Sequence, residues 1–200
     1  MDRDQVTAVV LAGGEGRRMG GRDKGLVPLA GRPMISHVLD RLGGQVGRIR
    51  INANRGQDDY RGFGVPVDGD LEPGFQGPLA GIASAIHHAD TRWVVTVPCD
   101  TPLLPRDTVA RLAAALEAQA ADIATARADG RLHPVVALLH RDLLEDLRGY
   151  LAAGGRKIDR WFARWSLAEA DFEDVAAQLV NVNTPEDLAR VEARLEEGLP

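Results

Sequence analysis

Short runs of apolar, β-branched residues recur along the chain and alternate with longer amphipathic stretches. TAVVL at 7–11 and WVVTV at 93–97 are uninterrupted runs of apolar and β-branched residues, which is typical of strands buried on both faces of a parallel sheet. The pattern predicts strands at 7–11, 48–52, 65–67, 93–97, 123–126, 135–139, 167–171 and 179–182. Helices are predicted between them, at 33–42, 78–88, 105–120, 141–152, 156–165 and from 185 onward. This alternation predicts the α/β fold class, with a mostly parallel central sheet between layers of helices.

Length and composition narrow the class of protein. The 200 residues correspond to about one domain, so we expect a single domain over residues 1–200. Cys99 is the only cysteine, which excludes an intrachain disulfide. The pattern predicts neither a signal peptide nor a transmembrane span, so we expect a cytoplasmic protein. A net charge of −5 argues against a surface for nucleic acid or membrane.

Positive charge and glycine are concentrated in one stretch, LAGGEGRRMGGRDKG at 11–25. Residues 13–32 contain five basic and two acidic side chains, a local balance of +3 in an acidic chain. Glycine lets a backbone approach a ligand closely, so the stretch predicts a phosphate-binding loop. The dinucleotide pattern G-x-G-x-x-G fails because Met19 stands at its third glycine, and no Gly-Lys pair is present for an NTPase loop.

Polar residues follow five of the predicted strands, at the point where each strand ends. Ligands of parallel sheets bind outside the carboxyl ends of the strands, so these residues are candidates for a binding site. They are residues 12–24, Asn52, Asn54, Asp68, Asp70, Asp100, Asn181 and Asn183. The pattern alone leaves two choices open, between the first two asparagines and between the first two aspartates, because each pair lies two residues apart.

The glycine-rich stretch resembles the signature loop of the nucleotidyltransferases, L-A-[AG]-G-x-x-x-R-M followed by a lysine. Five further motifs occur in order: NANR at 52–55, GPLAG at 77–81, PCDTPLLP at 98–105, HPVVAL at 133–138 and NVNTPEDL at 181–188. Together they resemble the molybdenum cofactor guanylyltransferase family, over about residues 6–195. The resemblance implies a three-layer α/β/α, Rossmann-like domain of the nucleotide-diphospho-sugar transferase type.

The resemblance also implies a reaction, in which GMP passes from GTP to molybdopterin and pyrophosphate is released. Lys24, Arg18 and Asp100 would be catalytic, the two cations on the phosphates and the carboxylate as ligand of Mg²⁺. The implied GTP-binding positions are Leu11, Ala12, Gly13, Lys24, Asn52, Asp70 and Asp100. Asn181 and Asn183 would contact the second substrate.

GTP and molybdopterin are the implied partners, with Mg²⁺ as cofactor. We expect a monomer, with molybdenum-insertion and molybdoenzyme-maturation proteins as further partners. Cytidylyl relatives commonly have alanine at position 13, so we expect the missing Cβ of Gly13 to leave room for guanine. Two enzymatic alternatives stay open, a cytidylyltransferase for molybdopterin and a nucleotidyltransferase for a sugar phosphate. A third is a carrier that binds nucleotide and cofactor without catalysis.

Four conspicuous side chains are expected to be structural. Cys99 is expected to be a small buried residue and not a nucleophile, because attack by a phosphate needs no thiol. His133 is interpreted as structural. Trp161 and Trp165, four residues apart on a predicted helix, are expected to pack in the core.

Overall fold

The computed structural model describes residues 1–12, 23–71 and 77–198 of the chain. Within these residues the strands are β1 Val6–Leu11, β2 Pro28–Leu29, β3 Arg32–Pro33, β4 Arg48–Asn52, β5 Val67–Asp68, β6 Trp93–Pro98, β7 Ile123–Ala128, β8 Arg131–His140 and β9 Leu167–Asp171. The α-helices are α1 Met34–Leu42, α2 Gln57–Arg61, α3 Pro78–His88, α4 Thr108–Ala118, α5 Leu144–Ala152, α6 Ile158–Phe162 and α7 Pro185–Glu196. Among these helices, none has the length and apolar character needed to cross a lipid bilayer.

Seven of these strands form one central sheet, in the order β5-β4-β1-β6-β8-β7-β9. Neighbouring strands are parallel except where β8 runs antiparallel to β6 and β7. The carboxyl ends of the other six strands therefore lie at one edge of the sheet, beside the amino end of β8. The prediction of a mostly parallel sheet is confirmed.

Helices cover both faces of this sheet. On one face α1 and α4 bury Ile35 and Leu112, and on the other α3, α5 and α6 bury Ile82, Leu147 and Trp161. Because successive residues of a strand point to opposite faces, β1 contributes side chains to both clusters. The three-layer α/β/α architecture is confirmed, and the fully buried Trp161 packs in the core as predicted.

A smaller apolar cluster joins the β2–β3 hairpin to the carboxyl-terminal helix. Leu29 of β2 is fully buried there, with Val182 and Val191 of the carboxyl-terminal segment. At the hairpin tip the Ala30 N–H donates to Glu192 Oε1 at 2.7 Å. Helix α7 is therefore packed into the domain through both apolar and polar contacts.

Two predicted elements differ from the observed ones. The strand predicted at 179–182 is wrong, because this segment is a loop in which the Val182 N–H donates to the Asp100 carbonyl at 2.8 Å. The helix predicted from 105 begins at Thr108, because the Thr108 N–H and hydroxyl both donate to the Pro105 carbonyl in a turn that precedes the helix. The remaining predicted elements are present with their ends shifted by a few residues.

Candidate active site

Several candidate residues meet at the carboxyl edge of the sheet because their strands are neighbours. Leu11 at the end of β1 pairs with Asn52 of β4 on one side and with Pro98 of β6 on the other. The Ala12 N–H continues the ladder to the Asn52 carbonyl at 2.8 Å, and Asp100 follows β6 by two residues. The sheet thus brings four of the predicted site residues to one edge.

A hydrogen-bonded cluster around the Asp100 carboxylate joins side chains from three distant parts of the chain. Lys24 Nζ donates to Asp100 Oδ2 at 2.9 Å and to Asn183 Oδ1 at 2.5 Å. Asn181 Nδ2 donates to Asp100 Oδ1 at 2.8 Å. The side chains of Lys24 and Asp100 are only 16% and 12% exposed, so the ion pair is shielded from water more than a surface pair would be. The structure therefore brings two of the three catalytic candidates, Lys24 and Asp100, into one cluster with both second-substrate candidates.

The loop that carries the two asparagines is fixed by the start of α7. The Thr184 side chain accepts from the Asp187 N–H, and the Asp187 carboxylate accepts from the Thr184 and Asn183 N–H groups, both at 3.1 Å. These hydrogen bonds hold the pKa of Asp187 below its usual range, and the one from the Asn183 N–H has the largest effect. A reciprocal cap of this kind satisfies backbone donors at a helix start, so the asparagine side chains extend from a fixed backbone.

Asn52 lies on the opposite side of β1 from this cluster. It is 2% exposed, and its Nδ2 is buried without a hydrogen-bond partner among the described residues. Its Oδ1 faces α3, where a Cβ on Gly81 would lie 3.1 Å away. A glycine at this point of α3 therefore lets the helix approach the asparagine closely.

Asp70, beyond the end of β5, is oriented by Asn54. Asn54 Nδ2 donates to Asp70 Oδ2 at 2.7 Å, and the Asp70 N–H donates back to Asn54 Oδ1 at 2.8 Å. Asp70 Oδ1 is buried and has no partner among the described residues. The two asparagines of the NANR motif thus differ in role, because Asn52 keeps a free donor while Asn54 holds the aspartate.

Asp68, the competing aspartate, is occupied by an ion pair. Arg50 donates to both of its oxygens, from Nε at 2.7 Å and from Nη2 at 2.9 Å. His88 Nδ1 lies 3.7 Å from Asp68 Oδ1, and burial lowers the pKa of that histidine. A bidentate arginine–carboxylate pair is among the stronger and more directional polar contacts, so Asp68 fixes the edge strand and Asp70 is left for a ligand.

Four buried polar atoms with no partner in the described structure belong to residues at this edge. They are Asn52 Nδ2, Asp70 Oδ1, Thr101 Oγ1 and His133 Nε2. Buried polar atoms in proteins are normally hydrogen-bonded, and exceptions call for an explanation such as a ligand or a water molecule. Sequence reasoning gave no role to Thr101, although it follows directly on Asp100. The structural role expected for His133 stays a prediction, and burial lowers the pKa of its ring.

The donor chemistry of the Asp100 cluster fits a magnesium ion. In the described ranges 1–12, 23–71 and 77–198, no three His, Cys, Asp or Glu side chains are placed so that they could hold a metal ion together, so these residues do not build an all-protein cage. Mg²⁺ is commonly held by one or two carboxylates together with substrate phosphates and water. Asp100, with the amide oxygen of Asn183 nearby, offers that type of donor set.

Two predicted site residues, Gly13 and Arg18, lie outside the residues that the structure describes. Their expected roles in accommodating guanine and contacting phosphate stay predictions. Cys99 is described, and it is 5% exposed with a thiol whose pKa is raised by burial. It is therefore a protonated packing residue at neutral pH, as the sequence predicted.

The fold and the site together define a class of protein. A lysine and a carboxylate at the carboxyl edge of a three-layer α/β sheet are typical of enzymes that bind and transfer phosphate groups. Residues 8–170 match the MobA-like NTP transferase domain. The chain belongs to this family of nucleotidyltransferases.

Curated relatives agree with this assignment, and a solved structure has the same fold. The chain is 51% identical to the molybdenum cofactor guanylyltransferase of Cupriavidus taiwanensis, over 96% of this chain and 98% of the relative. It is 50% identical to the molybdenum cofactor guanylyltransferase of Shewanella sp. strain ANA-3, over 97% of this chain and 98% of the relative. The crystal structure of molybdopterin-guanine dinucleotide biosynthesis protein A from Archaeoglobus fulgidus has the same fold, with a TM-score of 0.79 at 24% identity over 96% of this chain and 99% of that one.

These comparisons confirm three predictions made from the sequence: the family resemblance, the fold type and the enzyme class. They also show where the family match ends. Asn181 and Asn183 lie beyond residue 170, the last residue of the matched domain, yet they hold the Asp100 carboxylate and the Lys24 ammonium. The alignments with the curated relatives cover 96% and 97% of the chain, so they extend over this part of the cluster.

Proposed function

We propose that the protein transfers GMP from GTP to molybdopterin, forming the guanine dinucleotide and releasing pyrophosphate. The observation that carries the proposal is the Lys24–Asp100–Asn183 contact at the carboxyl edge of the sheet. Two relatives that are about half identical to this chain are named molybdenum cofactor guanylyltransferases, which supports guanylyl transfer over the cytidylyl and sugar-phosphate alternatives.

The nucleoside is proposed to bind on the β4–β5 side of the edge. Asn52 Nδ2 offers a buried hydrogen-bond donor and Asp70 Oδ1 a buried acceptor, while Leu11 and Ala12 offer backbone at the end of β1. A guanosine carries both donors and acceptors, so it can satisfy the two unpartnered atoms. Leaving such atoms unsatisfied costs about 1–3 kcal/mol each, so a ligand that pairs with them is favoured.

The phosphates are proposed to bind at the centre of the edge, next to Lys24. A phosphate oxygen of molybdopterin attacks the α-phosphorus of GTP, a new P–O bond forms, and the bond to the bridging oxygen breaks so that pyrophosphate leaves. Both reactants are anions, so the protein has to hold them together and stabilise charge that spreads over the phosphoryl oxygens. Lys24 Nζ is a compact cation suited to this task, and Arg18 is proposed as its partner from the sequence. No general base is required, because the attacking phosphate is already ionised at neutral pH.

A divalent metal ion is typical of nucleotidyltransferases in this family, and we propose Mg²⁺ for this one. Asp100 would hold the ion, with further ligands from phosphate oxygens and water. When bound, the ion supplies positive charge that offsets the charge on the phosphates. Asn181 orients the carboxylate for this purpose through the hydrogen bond to Oδ1.

The second substrate is proposed to approach from the side of Asn181 and Asn183. Both amides already contact the residues assigned to phosphate and metal, so a molybdopterin phosphate that reaches them lies next to the reacting centre. We also propose that the protein acts as a single-domain monomer in the cytoplasm. Its further proposed partners are molybdenum-insertion and molybdoenzyme-maturation proteins.

The activity is tested by incubating the protein with Mg²⁺, molybdopterin and each nucleoside triphosphate in turn. We expect a GMP adduct and one pyrophosphate per adduct with GTP. A CMP adduct as the main product would instead favour the cytidylyl alternative, and binding of both substrates without pyrophosphate release would favour the carrier. In the same assay Gly13→Ala is expected to lower the ratio of GTP to CTP turnover, and an unchanged ratio would remove residue 13 as a determinant of the base.

A further inference from the structure

Tyr60 is a fully buried tyrosine whose hydroxyl contacts the residue before Lys24. It lies on α2, directly after the NANR motif, and its ring is part of the apolar cluster on the α1–α4 face of the sheet. Its Oη donates a hydrogen bond to Asp23 Oδ1. A buried hydroxyl needs a partner, and here that partner is the carboxylate adjacent to the proposed phosphate-binding lysine.

Asp23 in turn fixes the turn that carries Lys24. Its side chain accepts from the Gly25 N–H at 3.3 Å, and its carbonyl accepts from the Leu26 N–H at 3.1 Å. The Lys24 carbonyl accepts from the Val27 N–H at 3.2 Å, which closes the turn. Burial raises the pKa of Asp23, and the hydrogen bonds from Tyr60 and Gly25 oppose that shift. The carboxylate thus depends on these two donors for its place in the structure.

Gly25 shows independently how closely the ring and the turn are packed. A Cβ on Gly25 would lie 3.1 Å from Cε1 and 3.2 Å from Cζ of Tyr60, closer than ordinary van der Waals contact. Because Gly25 is itself buried, the turn cannot move outward to make room without leaving its packing. The tyrosine ring therefore rests directly on the backbone that sets the position of Lys24.

We propose that Tyr60 is a positioning residue for Lys24, acting through Asp23. The inference rests on the proposed function in one respect, namely that Lys24 contacts the phosphates of a nucleoside triphosphate. A rigid turn holds the ammonium where the phosphates bind, and a small displacement of a charged group is costly in such sites. Since α2 follows β4, the strand that ends at Asn52, Tyr60 also ties the nucleoside side of the site to the phosphate side.

The two tyrosines of the chain provide a matched pair of variants, Tyr60→Phe and Tyr150→Phe. Each loses one hydroxyl, but Tyr150 Oη donates to the Lys157 carbonyl at an exposed position. Dissociation constants are measured by titration calorimetry for GTP, and for guanosine in competition with GTP. We expect Tyr60→Phe to weaken GTP binding about tenfold and guanosine binding less than about twofold, because only the phosphate contact is displaced. Tyr150→Phe is expected to change neither constant.

A double-mutant cycle tests whether the effect passes through the lysine. In a Lys24→Ala background, Tyr60→Phe is expected to cause no further loss of GTP affinity, because the coupled partner is absent. An undiminished loss in that background, or equal weakening of GTP and guanosine by Tyr60→Phe, would overturn the proposal. Asp23→Ala removes the same anchor and keeps the Tyr60 side chain unchanged, and it is expected to reproduce the selective loss of GTP affinity. If it does not, Tyr60 is a packing residue only.

The wild-type measurement keeps this test separate from the test of the proposed function. If the wild-type protein binds another nucleoside triphosphate in preference to GTP, the proposed guanylyl transfer is contradicted. The comparison of variants is then made with that triphosphate and its nucleoside, and the positioning role is supported or overturned by the same criterion.

Discussion

Asp100 has a separate hydrogen-bond donor for each carboxylate oxygen, and the two donors come from opposite ends of the chain. Lys24 reaches Oδ2 and Asn181 reaches Oδ1, so the plane of the carboxylate is fixed before any ligand binds. Fixing a group in advance avoids reorganisation during the reaction, which is a main source of electrostatic catalysis. Under the proposed function, Asn181 therefore contributes to catalysis through the orientation of the aspartate, while Asn183 orients the lysine.

At the residue scale, Asp100→Ala is expected to lower turnover of GTP by at least about 10²-fold, because both the metal ligand and the acceptor for Lys24 are lost. The far-UV circular dichroism spectrum is expected to stay native, since Lys24 keeps Asn183 as a hydrogen-bond acceptor. Asp107→Ala is the matched control, because Asp107 is 53% exposed and pairs only with the surface residue Arg111 in the described structure. Turnover retained in Asp100→Ala would rule out Asp100 as the essential metal ligand.

At the scale of elements, α3 meets the sheet edge through a small residue. A Cβ on Gly81 would lie 3.1 Å from Asn52 Oδ1 and 3.3 Å from Leu11 Cδ2, so a larger residue would push against Asn52, a proposed nucleotide contact, and against the Leu11 side chain. Small residues along this helix thus bring it close to β1 and β4, and the site depends on that close approach.

The prediction for this helix uses its glycine and a glycine of α5. Gly81→Ala is expected to raise the KM for GTP severalfold, because Asn52 or α3 has to shift. Gly149→Ala, where nothing lies within 4 Å of the new Cβ, is expected to stabilise the protein by about 0.5–1 kcal/mol without a change in KM. Steady-state kinetics and urea unfolding give both values, and an unchanged KM in Gly81→Ala would contradict the proposed contact.

A strand or helix could be predicted from the sequence when most of its residues are buried in the same apolar surroundings, because they then form a clear hydrophobic pattern. The strands at 7–11 and 93–97 were predictable because nearly all their residues are apolar or β-branched and are buried between helices. The segment at 179–182 was not, because its valines and asparagines alternate as in a strand while the amides bind Lys24 and Asp100 instead of extending the sheet. Helix α2 was missed because QDDYR has a single apolar residue and therefore no periodicity.

The site residues could be named from the sequence, but their contacts with one another could not. The resemblance named Lys24, Asp100, Asn181 and Asn183, but nothing in the sequence indicated that they contact one another, since the contacts span up to 159 residues. The preference for Asp70 over Asp68 is supported by Arg50, which lies on a neighbouring strand and pairs with Asp68. Such assignments depend on tertiary register, which local pattern does not contain.

At the scale of the whole molecule, two partly buried histidines link stability to pH. Burial lowers the pKa of both His88 and His133, so below about pH 6.5 the unfolded chain takes up protons that the folded chain does not. Their contribution to stability is therefore present at neutral pH and is lost as the pH falls through this range. We expect the free energy of unfolding in urea to fall less between pH 7.5 and pH 5.5 for the His88→Gln, His133→Gln double variant than for the wild type.

The difference between the two proteins is the informative quantity, because other groups titrate as well. Asp23, whose pKa is raised by burial, acts in the opposite sense, since its protonated form is favoured in the folded state. This contribution is common to both proteins and cancels in the comparison. Parallel pH profiles for wild type and double variant would show that the histidines do not carry the effect.

The separation of 159 residues between Lys24 and Asn183 has a consequence for the newly made chain. Ribosomes add about 5–20 residues per second, so roughly 10–30 s pass between synthesis of the lysine and synthesis of its asparagine partner. Asp100 is synthesised about midway through that interval, whereas Asn181 and Asn183, whose amides contact Asp100 and Lys24, are added only at its end. A nascent chain is thus unable to assemble the complete Lys24–Asp100 cluster. Under the proposed function, competence to use GTP arises only when the segment after β9 has folded back onto the sheet edge.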